Sequence, residues 1–279
     1  DTTITAAALK NIGNATTGAV TVSNAVKIAG SQSDVTAALV TEASKVSAGS
    51  ASVTISDATY DATNNDVSMN ASALSAIGNA TSGTVTLTNL QRITGTQADV
   101  TAALVTEASK VVAGTDNTIA NVTNAVSAAQ GQAIAATSNI AAAFSGGVSD
   151  SSSNLYSTAN NAITTNFSAI RSDDGDVGVT ISDSAYDAGN NDVTIAATTL
   201  SGIGNQTTGT VTVSNAIKIS GTQSDVTGAL VTEASKVTAG SALVTISDAA
   251  YDAANNDTTI TAAALKNIGN ATTGAVTVS

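Results

Sequence analysis

Seven times along the chain a short run alternates apolar and polar residues. It reads Val-Thr-Val-Ser-Asn from Val20, Val-Thr-Ile-Ser-Asp from Val53 and Val-Thr-Leu-Thr-Asn from Val85, and it returns from Val179, Val211, Val244 and Val276. Alternation with a period of two marks a strand with one buried face. The valines then point inward. Thr21, Thr54, Thr86, Thr180, Thr212, Thr245 and Thr277 point outward. The runs start 33, 32, 94, 32, 33 and 32 residues apart, and 94 is one such step plus 61 extra residues.

Two kinds of short helix alternate between the strands. One opens on Ser31-Gln-Ser-Asp34, Thr96-Gln-Ala-Asp99 or Thr222-Gln-Ser-Asp225. A hydroxyl followed three residues later by a carboxylate has the form of a capping box. Val35, Leu39, Ala43 and Val46 continue as a helical stripe, with Glu42–Lys45, Glu107–Lys110 and Glu233–Lys236 on its wet side. Gly49, Gly114 and Gly240 fall where a C-cap glycine belongs. The other helix is shorter, as in Ala-Ala-Ala-Leu-Lys-Asn-Ile-Gly-Asn from Ala6, with Leu9 and Ile12 facing inward.

Strand, bend and short helix repeated every 32–33 residues predict an α/β fold, a repeat solenoid with a stacked parallel sheet. Its strands would lie about 4.8 Å apart. Residues 1–114 and 176–279 carry the units. Residues 257–279 repeat residues 1–23 letter for letter, a period of 256, which reads as a window on a longer tandem array. In such an array each open strand edge is covered by the next unit.

The strand-end residues Asn24, Asp57, Asn89, Asp183, Asn215 and Asp248 lie in register with the inward valines. They read either as caps of the bend or as a stacked ladder. Tyr60, Tyr186 and Tyr251 also have two alignments. One sets them beside Lys27, Arg92 and Lys218 as a cation–aromatic column. The other sets them beside Ile28, Ile93 and Ile219 in the core, and burial of the helix-start register favours that one.

Residues 115–175 break the pattern. Ile119, Val122, Val126, Ala129, Ala133, Ile140 and Phe144 fall near heptad spacing, as do Leu155, Ala159, Ile163, Phe167 and Ile170. The spacing predicts an inserted helical hairpin, either packed back on its own units or touching a neighbouring chain.

Composition narrows the function. The chain of 279 residues has no Cys, His, Trp or Pro, and only 2% aromatic residues. Its core must be thin and built from Val, Ile, Leu and Ala. Without His or Cys, the commonest general base, the thiol nucleophile and the usual zinc ligands are gone. Asp and Ser recur in every unit, whereas a catalytic site is singular, so no catalytic residue is assigned and the chain is not expected to be an enzyme. A net charge of −12 repels nucleic acid and anionic lipid. No apolar run reaches the length of a membrane span.

No cofactor is expected, and calcium is the one candidate weighed against that. Three sets of carboxylates lie close in sequence: Asp57, Asp61 and Asp66; Asp183, Asp187 and Asp192; Asp248, Asp252 and Asp257. Oxygen ligands suit that ion, but the spacing is neither an EF-hand nor a Gly-rich nonapeptide. Helix capping and turns account for the same residues. The outward threonine rows admit a second reading, ice binding, against the plain preference of Thr for a wet strand face. Asn14-Ala-Thr16, Asn79-Ala-Thr81, Asn205-Gln-Thr207 and Asn270-Ala-Thr272 are glycosylation sequons at one repeated position, which also read as turns.

The stretches Ile-Thr-Gly-Thr-Gln-Ala-Asp-Val-Thr-Ala-Ala-Leu from Ile93 and Gly-Asn-Ala-Thr-Ser-Gly-Thr-Val-Thr-Leu-Thr-Asn from Gly78 resemble repeats of very large bacterial surface and secreted proteins, of the marine cyanobacterial type. The resemblance covers the repeated units and not residues 115–175. It implies an extracellular or cell-surface location and a role in motility, adhesion or a cell coat. The expected function is a structural segment that stacks with copies of itself into a filament, fibre or coat. The alternative is a repetitive adhesin or stalk with a glycan or surface ligand.

Overall fold

The computed structural model describes residues 2–41, 43, 46–64, 68–106, 111–113, 118–190, 194–232, 234, 237–250 and 260–279. The first elements are β1 (Thr3–Thr5), α1 (Ala6–Asn14), β2 (Val20–Thr21), β3 (Lys27–Gly30), α2 (Gln32–Leu39), β4 (Val46–Ser47) and β5 (Ser52–Ile55). They are followed by β6 (Met69–Asn70), α3 (Ala71–Asn79), β7 (Val85–Leu87), β8 (Arg92–Gly95), α4 (Gln97–Val100), a π-helical continuation (Thr101–Val105) and β9 (Val111–Val112). Then come β10 (Thr118–Val122), α5 (Ala128–Ala135), β11 (Ile140–Ala143), β12 (Val148–Asp150), α6 (Ser152–Leu155), β13 (Tyr156–Ser157), β14 (Ala162–Ile163) and α7 (Thr165–Asp173). The last are β15 (Val179–Ile181), β16 (Thr194–Ala196), α8 (Ala197–Gly204), β17 (Val211–Val213), β18 (Lys218–Gly221), α9 (Gln223–Leu230), β19 (Val237–Thr238), β20 (Leu243–Ile246), α10 (Ala262–Ala271) and β21 (Val276–Val278).

The described chain forms two compact units, residues 1–124 with 133–143 and residues 125–132 with 144–279. Both are mixed α/β, with several parallel sheets and, among the described residues, no closed barrel. In the first unit the sheets run β1-β3-β5-β7-β9, β11-β10-β8-β6 and β2-β4. In the second they run β12-β15-β17-β19 and β16-β18-β20-β21, beside one antiparallel pair, β13-β14.

The alternating runs are strands, and the leading valines of the five runs from Val53 to Val244 are buried as expected, whereas Val20 and Val276 are half-buried and Val278 is exposed. Val53, Val85, Val179, Val211 and Val244 are all within 2% of full burial. Each contributes about 1.5–3 kcal/mol by leaving water. Runs 32 residues apart pair in register: Val53 with Val85, Val179 with Val211, Val244 with Val276. The 33-residue steps do not. Val20 pairs with Val46, and Val211 takes Val237 as its second neighbour. The sequences Lys-Ile-Ala-Gly, Arg-Ile-Thr-Gly and Lys-Ile-Ser-Gly, read above as bends, supply the missing neighbours as β3, β8 and β18. Ile28 pairs with Val53 and Ile219 with Val244, and Ile28, Ile93 and Ile219 are fully buried. One buried isoleucine per run is too short a pattern for a period to show.

The longer helices also end earlier than their stripe implies. Val35 and Leu39 are buried on α2, but Val46 is buried on β4, opposite Val20. Gly49 and Gly240 do take the left-handed conformation, with φ of 55° and 54°, but they turn the chain after β4 and β19, not after a helix. Gly114 and the pairs Glu42–Lys45, Glu107–Lys110 and Glu233–Lys236 lie outside the described residues.

The predicted helical hairpin is replaced. Residues 118–122 form β10, paired with β8 and β11, and Val148–Asp150 form β12, paired with β15. The helices between them are short. Asn139 (φ 62°) and Gly147 (φ 75°) reverse the chain in left-handed conformations that Asn and Gly tolerate. Thr118, Ala120 and Val122 face inward with a period of two, which overrides the heptad match. Both phenylalanines are core residues: Phe144 is 2% and Phe167 0% exposed.

The tyrosine column resolves against the core alignment. Arg92 Cζ lies 5.8 Å from the Tyr60 ring centroid, and Lys218 Nζ lies 5.2 Å from that of Tyr186. The Tyr60 amide donates to the Leu90 carbonyl and the Tyr186 amide to that of Ala216, which seats each bend against the segment just before β8 or β18. The rings and their cations are half-buried, because the phenol and the guanidinium of Arg92 or ammonium of Lys218 each keep a polar end in water there. Tyr251 lies outside the described residues.

Two glycines test the packing. A Cβ on Gly83 would come under 3.0 Å from the Ala51 carbonyl oxygen, whereas one on Gly228, inside α9, would meet nothing within 4 Å. Gly228 stands where α2 has Ala37. Gly228→Ala is expected to raise stability by about 0.5–1 kcal/mol. Gly83→Ala is expected to lower it by about 1–3 kcal/mol. Urea denaturation followed by circular dichroism checks both.

Candidate functional site: aspartate sets, threonine rows and the joints between units

The aspartates serve helix ends. A helix begins with main-chain N–H groups that lack a partner within the helix and carry the positive end of its dipole. Asp57 Oδ2 accepts from the Gln32 amide of α2 at 2.6 Å, and Asp248 Oδ2 from the Gln223 amide of α9 at 2.7 Å. Asp183 accepts from both the amide and the hydroxyl of Ser152 on α6, at 2.7 and 3.0 Å. Asn124 Oδ1 does the same for Gln97 at 2.6 Å, and Asp150 Oδ2 for Ala128 at 2.9 Å. The partners are 22 to 31 residues apart, so the bond ties a helix to a later strand.

This second cap adds to the local one. Thr96–Asp99 and Thr222–Asp225 form complete capping boxes, as the spacing predicts, and the Ser31 hydroxyl accepts from the Asp34 amide. The strand-end ladder is mixed. Asn89 Nδ2 donates to the Asp57 carbonyl oxygen at 2.6 Å and Asn215 Nδ2 to that of Asp183 at 2.7 Å. Carboxylates cannot stack on one another without repulsion, so the Asp side chains turn to helix amides while their carbonyls take the next unit's Asn.

Asp61 and Asp187 shape the bends. Asp61 accepts from the Thr63 amide and the Asn64 side chain, and Asp187 from the Gly189 amide and Asn190 Nδ2. The Thr63 amide, first of all, holds the Asp61 carboxyl below its ordinary pKa. Asp66, Asp192, Asp252 and Asp257 lie outside the described residues. Among the described residues no group of three His, Cys, Asp or Glu is close enough to hold a metal ion.

The sequon threonines form another joint. Thr81 is 4% exposed, and its hydroxyl donates to the Ala51 carbonyl at 2.5 Å while accepting from the Gly83 amide at 2.9 Å. Thr207 and Thr272 repeat this on Val177 and Ala242, at 2.7 and 2.6 Å. The hydroxyl is a staple between units 30 residues apart. Nothing in an Asn-x-Thr string separates that role from a sequon.

The outward threonines sit side by side across the strands. Thr54 is opposite Thr86, Thr180 opposite Thr212, Thr245 opposite Thr277, and Thr21 opposite Ser47. Thr21, Thr86, Thr212 and Thr277 are exposed, and Thr54, Thr180 and Thr245 half-buried. Beside Thr180 and Thr212 an open groove of about 200 Å³ is lined by Gly147, Gly178 and Thr210. No helix among the described residues is long and apolar enough to cross a membrane.

One acid departs from this pattern. Burial, with Asp176 beside it, raises the Asp174 carboxyl above its ordinary pKa, against the Phe144 amide that donates to it at 2.6 Å. A raised acid stabilises the fold most when protonated, and that contribution fades as pH rises through the folded-state pKa. Asp174→Asn is therefore expected to raise the melting temperature at neutral pH and to change it less in acid, as a melting series across pH would show. Asp183→Ala is expected to cost about 1–3 kcal/mol in urea denaturation, because it strands the Ser152 amide. Asp183→Asn, which keeps one acceptor oxygen, is expected to cost less.

No family model, curated protein or solved structure matches the chain.

Proposed function

We propose that the chain is a structural segment of an extracellular or cell-surface protein. In this reading its units form an α/β solenoid that stacks end to end, with lateral contacts, into a filament, fibre or coat. Its principal partner is a copy of itself, and it performs no catalysis. The observation that carries the reading is one joint used again and again. A strand-end Asp or Asn captures the first amide of an earlier helix, at Asp57, Asn124, Asp150, Asp183 and Asp248. Asp57, Asp183 and Asp248 hold the same place in the repeat, and a joint that recurs in this way adds units without new chemistry. The net charge of −12 supports an extended, soluble assembly over a collapsed one.

Negative-stain electron microscopy of native material tests this. Ordered fibres or a lattice are expected. Isolated rods would assign the chain to an adhesin stalk instead, and compact particles would sink both readings.

A further inference from the structure

The open groove beside Thr180 and Thr212 lies where the repeat loses two side chains at once. It holds about 200 Å³, and its lining residues fall between 145 and 212, inside the second compact unit. Three strand pairs can be compared at this place. Ahead of the run from Val53 stands Ser52, paired with Lys27, and ahead of the run from Val244 stands Leu243, paired with Lys218. Ahead of the run from Val179 stands Gly178. Its neighbour on the next strand is Gly147, which precedes Val148, the partner of Val179. The alternation that turns these valines inward puts the preceding residues on the outward face. That face carries Lys and Ser, or Lys and Leu, in two of the pairs. In the third, two glycines leave it bare.

The two glycines have different reasons. Gly147 is required by its backbone, since φ is 75° and a Cβ would come 2.8 Å from the Gly178 carbonyl oxygen. Gly178 is not. Its φ lies outside the left-handed region, and an added Cβ would meet nothing closer than the Thr210 carbonyl and hydroxyl oxygens, at 4.0 Å. The repeat accepts a side chain at this place, as Ser52 and Leu243 show. A side chain at 178 would fill the groove. A strand glycine that packing does not demand marks a place where something else comes close. The surface on offer is main chain and hydroxyl. Val179 turns its side chain into the core, and the hydroxyls of Thr180, Thr210 and Thr212 have no partner among the described residues. None of the lining residues is ionisable.

The geometry points to a binding site for a neutral saccharide, with one sugar ring over Gly147 and Gly178 and its hydroxyls bonded to Thr180, Thr210 and Thr212. Each threonine hydroxyl both donates and accepts, and so does each hydroxyl of a sugar. An ionic ligand would find no counter-charge here to offset its desolvation. An apolar one would find no apolar wall. A peptide strand would seek an unpaired sheet edge, and β15 and β17 are paired on both sides. The volume suits one ring, since pockets for drug-sized ligands run to about 300–1,000 Å³. The saccharide beyond that ring has a track. Ser149, Thr180, Thr212 and Thr238 stand opposite one another on successive strands, one hydroxyl about every 4.8 Å. This site is independent of how copies of the chain stack.

The test is an amide-shift titration of the full isotope-labelled chain with maltotetraose, cellotetraose and mannotetraose. Each is taken to about 20 mM, because one ring in an open groove is expected to bind at about millimolar strength. Shifts at the Gly178, Thr180, Thr210 and Thr212 amides are expected with at least one of the three, and none with tetragalacturonate. Gly178→Leu, which copies Leu243, is expected to leave the rest of the spectrum in place and to weaken binding at least about tenfold. Thr212→Val keeps the shape and removes one hydroxyl, and is expected to weaken binding about threefold to tenfold. Thr86→Val, in the matching row beside Ser52 and Lys27, is expected to change nothing. Absence of these shifts with all three neutral saccharides overturns the inference, as does binding that survives Gly178→Leu. Should that variant misfold, Thr212→Val decides in the same way. Equal shifts with tetragalacturonate overturn the neutral class of ligand.

Discussion

The first amide of a helix needs an acceptor, and in α2, α4, α5, α6 and α9 the acceptor comes from the end of a later strand. That constraint orders much else. It fixes how far a strand end sits from the helix before it, because a 2.6–2.9 Å bond tolerates little slack. It also places the carboxylates where a positive helix end offsets the cost of half-burying them. The apolar core could not set that geometry alone. Built mainly from Val, Ile, Leu and Ala, it rewards burial without specifying which neighbour is met.

Close approach is the second device. Where a helix returns to its sheet, Gly83, Gly209 and Gly274 lie against main-chain carbonyls, and the adjoining threonine hydroxyls bond the same carbonyls. Small side chain and hydroxyl act together, since the glycine lets the backbone near and the threonine satisfies the oxygen. Larger residues would fill the gap but leave the carbonyl without that bond.

Much of this was legible in the sequence where a residue acts within its own segment. The alternating valines, the outward threonines and the capping boxes are local events, set by period two and by i to i+3 bonding, whereas Gly49 and Gly240 read as helix caps and turn the chain after strands instead. The strands around Ile28, Ile93 and Ile219 were not legible, because each shows one buried residue among polar ones. The heptad match in residues 115–175 misled for the opposite reason: small and β-branched residues satisfy two periods over short runs, and pairing with β8 and β15 decides between them. The roles of Asp57, Asp183 and Asp248 needed the fold, since their amide partners lie 25 or 31 residues upstream. Spacing alone could equally gather them toward a cation.

The repeated ends show how far surroundings, rather than sequence, determine burial. Ile12 and Ile268 belong to identical text and to helices capped by the same threonine, Thr5 and Thr261. The helix forms in both places, so its local signals are sufficient for shape. Only the neighbour differs, and with it the isoleucine passes from half-exposed to fully buried. Burial of that isoleucine therefore belongs to the joint with a neighbour as much as to the helix itself. Gly83, Gly209 and Gly274 have no room for a side chain against the main chain they approach, so the same short text sets both the helix and how closely it can be met.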